Sequence, residues 1–339
     1  MPRDRGELVI IACESGKALA GRILNSINSL LEQKGHASLH LTSTREVEFA
    51  NKEVKTIIEE PIRGSDVYVI QLFDDPLSYR SPNDNLMALY TAINAAKQSD
   101  AEHITAVIPQ FPYSRQEKRL CREAITAKLV VDFIELSGAN RVITLDIHSP
   151  SIAGFFQNTK FDNIEAKKLI VNRVREIYKK SNLVIVSPDI GGTGRAKTCA
   201  NMLNTSLAMI YKQRDYAKKS TIIDTLLIGD VEGRDVLLVD DMVATGGTFI
   251  KAMELLKKHK ANDIYVSASM PFFNNNACRI FSKAYSEGLF TKFIGTDAVF
   301  HGKDFIDNNP WYEEVSIAPL FASVIYNINN RLSISPLLA

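Results

Sequence analysis

Residues 236–248 read VLLVDDMVATGGT and run on into FIKAMELLKKH at 249–259. Val236, Leu237, Leu238 and Val239 make a short unbroken apolar run, the pattern of a strand buried on both faces. Behind it Ile250, Met253, Leu255 and Leu256 recur at helical spacing. The order is strand, turn, helix, with the turn at the strand's carboxyl end. Gly246 and Gly247 let the backbone approach an anion, and the helix behind them offers N–H groups that have no partner within it. Thr245 and Thr248 add hydroxyl donors, and Asp240 and Asp241 stand where the vicinal hydroxyls of a sugar would lie.

The same rhythm extends both ways. LVIIAC, DVYVIQL, HITAVIP and RVITLD alternate with helical patterns near 16–33, 83–98 and 122–137. After a helical segment near 164–180, a second set follows: LVIVS, LAMIY, TLLIGD, VLLVDD, IYVSAS and KFIGT, with helices near 195–203, 248–259 and 275–285. An α/β fold with two mainly parallel sheets, each flanked by helices, follows. The boundary falls near residue 164, giving domains 1–164 and 165–311, and an apolar helical pattern over 312–330 is expected to pack on the first.

Composition limits the partners. The chain has 339 residues, 45% of them hydrophobic, enough for two cores. A formal net charge of +1 without a basic block argues against extended nucleic-acid binding. The four cysteines, Cys13, Cys121, Cys199 and Cys278, are isolated, which suits packing in a reducing compartment. No apolar run has the length a bilayer requires and the first residues carry no cleavage pattern, so a cytoplasmic protein with no membrane partner is expected.

Four further clusters carry chemistry. SPDIGGTGRA at 187–196 is a second strand-end turn: Asp189 can hold a metal or a ribose hydroxyl, Gly191, Gly192 and Gly194 expose backbone donors, and Arg195 adds charge. Two phosphate cradles on neighbouring strand ends suit the two ends of one sugar. LDIHSP at 145–150 sets His148 just past a strand end. PQFPYSRQEKR at 109–119 follows another, with Arg115, Lys118 and Arg119 around Gln116, a set suited to a polyphosphate and a base edge. YKQRDYAKKS at 211–220 puts Lys212 and Arg214 at a strand end ahead of a polar loop.

The 236–248 run resembles the phosphoribosyl-diphosphate (PRPP) loop of the phosphoribosyltransferase-type fold. The ordered set RQEKR, DIH, SPDIGG, KQR and VDDMVATGGT, with NDNLM at 83–87, IGDVEGRDVLLVDDM and the closing SIS at 333–335, is similar to the ribose-phosphate pyrophosphokinase family over nearly the whole chain. The resemblance implies two phosphoribosyltransferase-like domains and Mg²⁺-dependent transfer of the β,γ-diphosphoryl group of ATP to the C1 hydroxyl of ribose 5-phosphate. It implies ATP contacts from Phe49, Asn51, Glu53, Arg115 and Gln116, and metal–nucleotide binding by His148 and Asp189. Lys212 and Arg214 would be the catalytic cations, with Arg214 also reaching ribose 5-phosphate. That sugar's hydroxyls would rest on Asp240 and Asp241 and its phosphate in Ala244, Thr245, Gly246, Gly247 and Thr248. Asp189, Gly191, Gly192 and Arg195 would face pyrophosphate. The family also implies a homodimer or a hexamer of dimers, with the 49–53 segment reaching a neighbouring subunit.

The chain departs from the family pattern at Asn51 (an acid there), Lys52 (a turn glycine), Pro112 (a glycine), Gln213 (a basic residue) and Ala244 (an acid). Of these, Asn51, Lys52 and Ala244 keep open a catalytically weak regulatory paralogue. A purine phosphoribosyltransferase is a third reading, against which the chain length and Arg115–Gln116 count.

Overall fold

The computed structural model describes residues 5–215 and 221–338. In chain order the strands are β1 (Leu8–Ala12), β2 (Thr44–Glu48), β3 (Val54–Ile58), β4 (Asp66–Ile70), β5 (His103–Val107), β6 (Arg141–Leu145), β7 (Lys160–Ile164), β8 (Leu183–Ser187), β9 (Ser206–Asp215), β10 (Thr221–Ile228), β11 (Asp235–Val243), β12 (Ile264–Pro271), β13 (Lys292–Thr296) and β14 (Tyr312–Val315). The helices are α1 (Lys17–Glu32), α2 (Pro82–Gln98), α3 (Thr126–Ser137), α4 (Lys167–Ile177), α5 (Thr193–Leu203), α6 (Gly247–Lys258), α7 (Ala277–Ser286), α8 (Lys303–Asn308), α9 (Ala318–Asn329) and α10 (Ser335–Leu338). They divide between two units, the first comprising Met1–Glu165, Ala298–Phe300 and Ser316–Ala339, the second Ala166–Asp297 and His301–Val315.

In the first unit a parallel sheet runs β1-β4-β5-β6-β7. Every residue of β4 is buried, as a strand covered on both faces requires. α1 buries Leu19, Ala20, Ile23 and Ile27, one stripe at helical spacing. It starts at Gly16, where a Cβ would lie 2.2 Å from the Ile70 carbonyl oxygen, so only glycine lets the turn pass that strand end. α9 packs on α1. Its end is fixed by a buried cluster: the Asp66 carboxylate meets Arg5 Nη2 at 3.2 Å and accepts from Tyr68 Oη at 2.9 Å and Asn329 Nδ2 at 3.2 Å. Three donors around one carboxylate are what its burial demands. A separate antiparallel pair, β2–β3, carries residues 49–53 in its turn.

The second unit holds a seven-stranded sheet, β10-β9-β8-β11-β12-β13-β14, antiparallel only at β10–β9. Beneath the start of α6 lies an aromatic cluster. Phe281 stacks on Trp311 with ring centroids 5.7 Å apart, and Phe273 meets Trp311 edge-on at 5.5 Å. Among the described residues no helix is long and apolar enough to cross a membrane.

Several expected elements differ. Residues 312–315 are not the first turn of a helix but an edge strand, because Trp311 and Tyr312 are drawn into the aromatic core and Tyr312 pairs with Phe293. The helix expected from 122 begins at Thr126, since the Glu123 carboxylate accepts the Leu120 N–H and closes a turn before it. Residue 164 ends a strand, β7, and the helix read from there starts at Lys167. β9 continues to Asp215, so Lys212 and Arg214 fall within an antiparallel hairpin rather than in a loop at a strand end.

Candidate active site

In the second unit, β8 and β11 are neighbouring parallel strands, and each ends in a glycine turn that opens a helix. At the β11 turn Gly246 is the N-cap of α6 with φ 78°, and no side chain caps that helix. A Cβ on Gly246 would stand 2.7 Å from Phe281 Cε2, so the aromatic cluster fixes both the turn and the need for glycine. Ala244 is half-buried, whereas Thr245, Gly247 and Thr248 are exposed. The first N–H groups of α6 thus belong to an exposed turn without a capping side chain, the arrangement that takes an anion.

At the β8 turn the Asp189 carboxylate folds back on its own loop, accepting the Gly192 N–H at Oδ1, 2.9 Å. Ser187 Oγ donates to the Asp189 carbonyl at 2.7 Å. Ser187, not singled out from sequence, thereby shapes the cradle; its place directly before Pro188–Asp189 is the only signal of it. A Cβ on Gly192 would approach Ser187 Oγ to 2.9 Å and Asp240 Oδ1 to 3.9 Å, which places the two turns side by side. Gly191 is exposed in the same loop.

Between the turns sit opposite charges. Arg195, in the first turn of α5, lies 3.6 Å from Asp240 Oδ1 through Nη1 and 3.9 Å from Asp241 Oδ2 through Nη2. Asp241 is 4% exposed, and its N–H donates to Asp240 Oδ1 at 2.9 Å. Burial first, then the neighbouring Asp241 and more distant Asp189, push the Asp240 carboxyl up to about 8. A group held so far from its usual range is poised to gain from a hydroxyl donor or a cation. Both acids lie inside β11 itself, Asp240 opposite Ala268, so the sheet fixes them rather than a loop.

Lys212 and Arg214 stand opposite Thr225 and Ile222 in the β9–β10 backbone register. Their side chains, with Gln213 and residues 216–220, lie outside the described residues.

The remaining expected residues belong to the first unit. Phe49, 47% exposed, and Glu53 flank the β2–β3 turn, where the Phe49 N–H donates to the Glu53 carbonyl at 2.8 Å. Asn51 Oδ1 accepts the Glu53 N–H at 3.2 Å. Lys52 adopts φ 71°, the backbone glycine would take, and its Nζ reaches Glu48 Oε1 at 2.6 Å. The turn therefore keeps its left-handed corner without glycine, at a cost of about 1 kcal/mol. Arg115 and Gln116 are exposed on the loop after β5, and His148 is exposed after β6.

Comparison with known proteins agrees over both units. Residues 8–138 match the N-terminal domain of ribose phosphate pyrophosphokinase, and residues 158–302 match the phosphoribosyl transferase domain. The ribose-phosphate pyrophosphokinase of Mycoplasma pneumoniae is 38% identical over 289 residues, covering 85% of each chain. That of Granulibacter bethesdensis is 37% identical over 331 residues, 97% of this chain and 99% of the relative. The crystal structure of phosphoribosylpyrophosphate synthetase from Mycobacterium smegmatis superposes with a TM-score of 0.83 at 31% identity, over 96% of this chain and 99% of the other.

Proposed function

The chain belongs to the ribose-phosphate pyrophosphokinase family, and we propose that it transfers the β,γ-diphosphoryl group of ATP to the C1 hydroxyl of ribose 5-phosphate, releasing AMP and PRPP. The observation that carries the reading is the pair of adjacent glycine turns on β8 and β11 with Asp240, Asp241 and Arg195 between them. Ribose 5-phosphate seats its phosphate on Thr245–Thr248 through backbone N–H groups, with Ala244 as a spacer, and its ring hydroxyls donate to Asp240 and Asp241. Ala244 removes a carboxylate without removing a phosphate donor. Asp189, Gly191, Gly192 and Arg195 face the diphosphate formed at C1.

ATP uses the first unit's residues: Arg115 and Gln116, with Phe49, Asn51 and Glu53 of the hairpin turn supplied by a neighbouring copy in a homodimer or a hexamer of dimers. Lys212 and Arg214 counter the charge that builds on the transferring phosphorus. Among the described residues no three His, Cys, Asp or Glu side chains gather as a metal cage. A Mg²⁺ ion carried on nucleotide phosphates needs only one or two protein ligands, and the family resemblance gives that part to His148 and Asp189. When bound, the ion neutralises phosphate charge. A cation or donating sugar hydroxyls favour the charged form of Asp240, opposing the burial and the neighbouring Asp241 that raise its carboxyl.

The test is product identity. With ATP, ribose 5-phosphate and Mg²⁺, ³¹P NMR should show AMP and PRPP rising together; ADP in place of AMP, or no product from protein that binds both substrates, refutes the transfer. Lys212→Ala should cut turnover by roughly 10²- to 10³-fold, as loss of a transition-state donor does, with ribose 5-phosphate affinity little changed.

A further inference from the structure

The loop that carries Arg115 and Gln116 is tied down at three points by residues that have no part in the transfer itself. At its root is Gln110, 2% exposed, with its amide fully used. Oε1 accepts the N–H groups of Phe73 and Asp74, both at 2.7 Å. Nε2 donates to the carbonyls of Asp74 at 2.9 Å and Ala298 at 2.7 Å. All four partners are backbone atoms, so the side chain fixes where the chain runs, which is the signature of a positioning group.

At its middle, Tyr113 holds φ 56°, an uncommon conformation for an aromatic residue, and its phenol donates to Asn83 Oδ1. At its end the Gln116 carbonyl accepts the Ala127 N–H at 3.3 Å, while the Gln116 N–H donates to the Tyr113 carbonyl at 2.8 Å. The NDNLM run supplies the platform. Besides Asn83, the fully buried Asn85 donates to the Phe73 carbonyl at 2.9 Å, bracing the same backbone that Gln110 holds.

We infer that Gln110 and the Tyr113–Asn83 pair are positioning residues for the nucleotide, presetting the Arg115–Gln116 loop before ATP arrives. The inference rests on the reading of Arg115–Gln116 as ATP contacts. Binding then carries no cost for ordering the loop, and any loosening appears as weaker ATP binding while turnover at saturating ATP is kept.

The experiment measures ATP affinity by calorimetry, ATP and ribose 5-phosphate KM, and Tm for Gln110→Leu, Tyr113→Phe, Asn83→Leu and Asn83→Asp. Gln110→Leu should raise the ATP Kd and KM on the order of tenfold, and Tyr113→Phe and Asn83→Leu about threefold, with ribose 5-phosphate KM constant. Asn83→Asp keeps an acceptor for the phenol and should recover most of the affinity lost in Asn83→Leu. Asn83 is exposed, and Tyr113→Phe keeps the half-buried ring in its packing while removing one hydroxyl, so these two changes leave the fold intact and decide the matter if Gln110→Leu does not fold. Unchanged ATP Kd in both overturns the inference and leaves the ATP reading standing, as does an equal rise in both substrates' KM. If the unsubstituted protein does not bind ATP, the reading of the loop falls and takes the inference with it.

Discussion

The turn from β4 into α2 and the turn from β11 into α6 are built on the same plan and finished differently. Each follows a buried parallel strand and leads into a helix. At α2 the protein supplies its own partners: Ser81 accepts the Asp84 N–H, Asp84 returns to the Ser81 N–H, Pro82 fills the first turn, Gln71 Nε2 donates to the Asn85 carbonyl of the helix, and Asn85 and Gln110 bond the backbone of the preceding loop. At α6 Gly246 is the N-cap, no side chain caps the helix, and two carboxylates stand beside the turn. One turn is closed by protein groups and serves as a platform. The other is left open, and an open helix start beside sugar-binding acids is the form a ribose phosphate fits.

The largest effect expected on this contrast comes from closing the open turn. Gly246→Ala forces a left-handed alanine whose Cβ meets Phe281, and should lower stability by about 1–3 kcal/mol and ribose 5-phosphate affinity at least tenfold, read by thermal melts and calorimetry. Next is the raised carboxyl of Asp240. Because the folded state binds that proton more tightly than the unfolded chain, stability is unaffected below the ordinary carboxylate pKa, is lost as pH rises toward about 8, and is constant above it. Asp240→Asn should therefore flatten the ligand-free stability profile over that window and raise stability at pH 8 by about 0.5–2 kcal/mol, while weakening ribose 5-phosphate binding. A profile whose slope is the same in both proteins would remove Asp240 from this account.

Opening the closed turn is a smaller change. Ser81→Ala should cost about 1 kcal/mol by chemical denaturation without altering ribose 5-phosphate affinity. Smallest is a contrast in thiol reactivity: Cys13, beside the first unit's strand ends, is buried with its thiol pushed up to about 12 by burial, whereas Cys121 is exposed. A thiol reagent should label the exposed Cys121, slowed by the Glu123 carboxylate that raises its thiol, and leave Cys13 unmodified in the native protein.

The open turn was legible in sequence because glycines, threonines and paired acids directly after an apolar run state its chemistry. The central parallel strands were legible for the same reason: LVIVS and VLLVDD bury both faces and carry no polar alternation. What escaped notice lies at edges. TREVE, VKTII, KFDNI and YEEV mix charged residues with buried and half-buried apolar ones, and only their neighbours decide that they pair. Tyr312 became a strand residue because Phe273, Phe281 and Phe293, distant in sequence, built an aromatic pocket that no local pattern announces. The same limit hid Gln110, whose four partners lie 36 to 188 residues away.

Hydrogen exchange in the presence and absence of saturating ribose 5-phosphate tests the contrast most directly. The sugar phosphate should slow exchange at the amides of residues 245–249, where α6 begins uncapped, and leave those of residues 83–85 unchanged because Ser81 and Asp84 already close that end. Protection at the start of α2, or none at the start of α6 in protein shown to bind the sugar, would contradict the account.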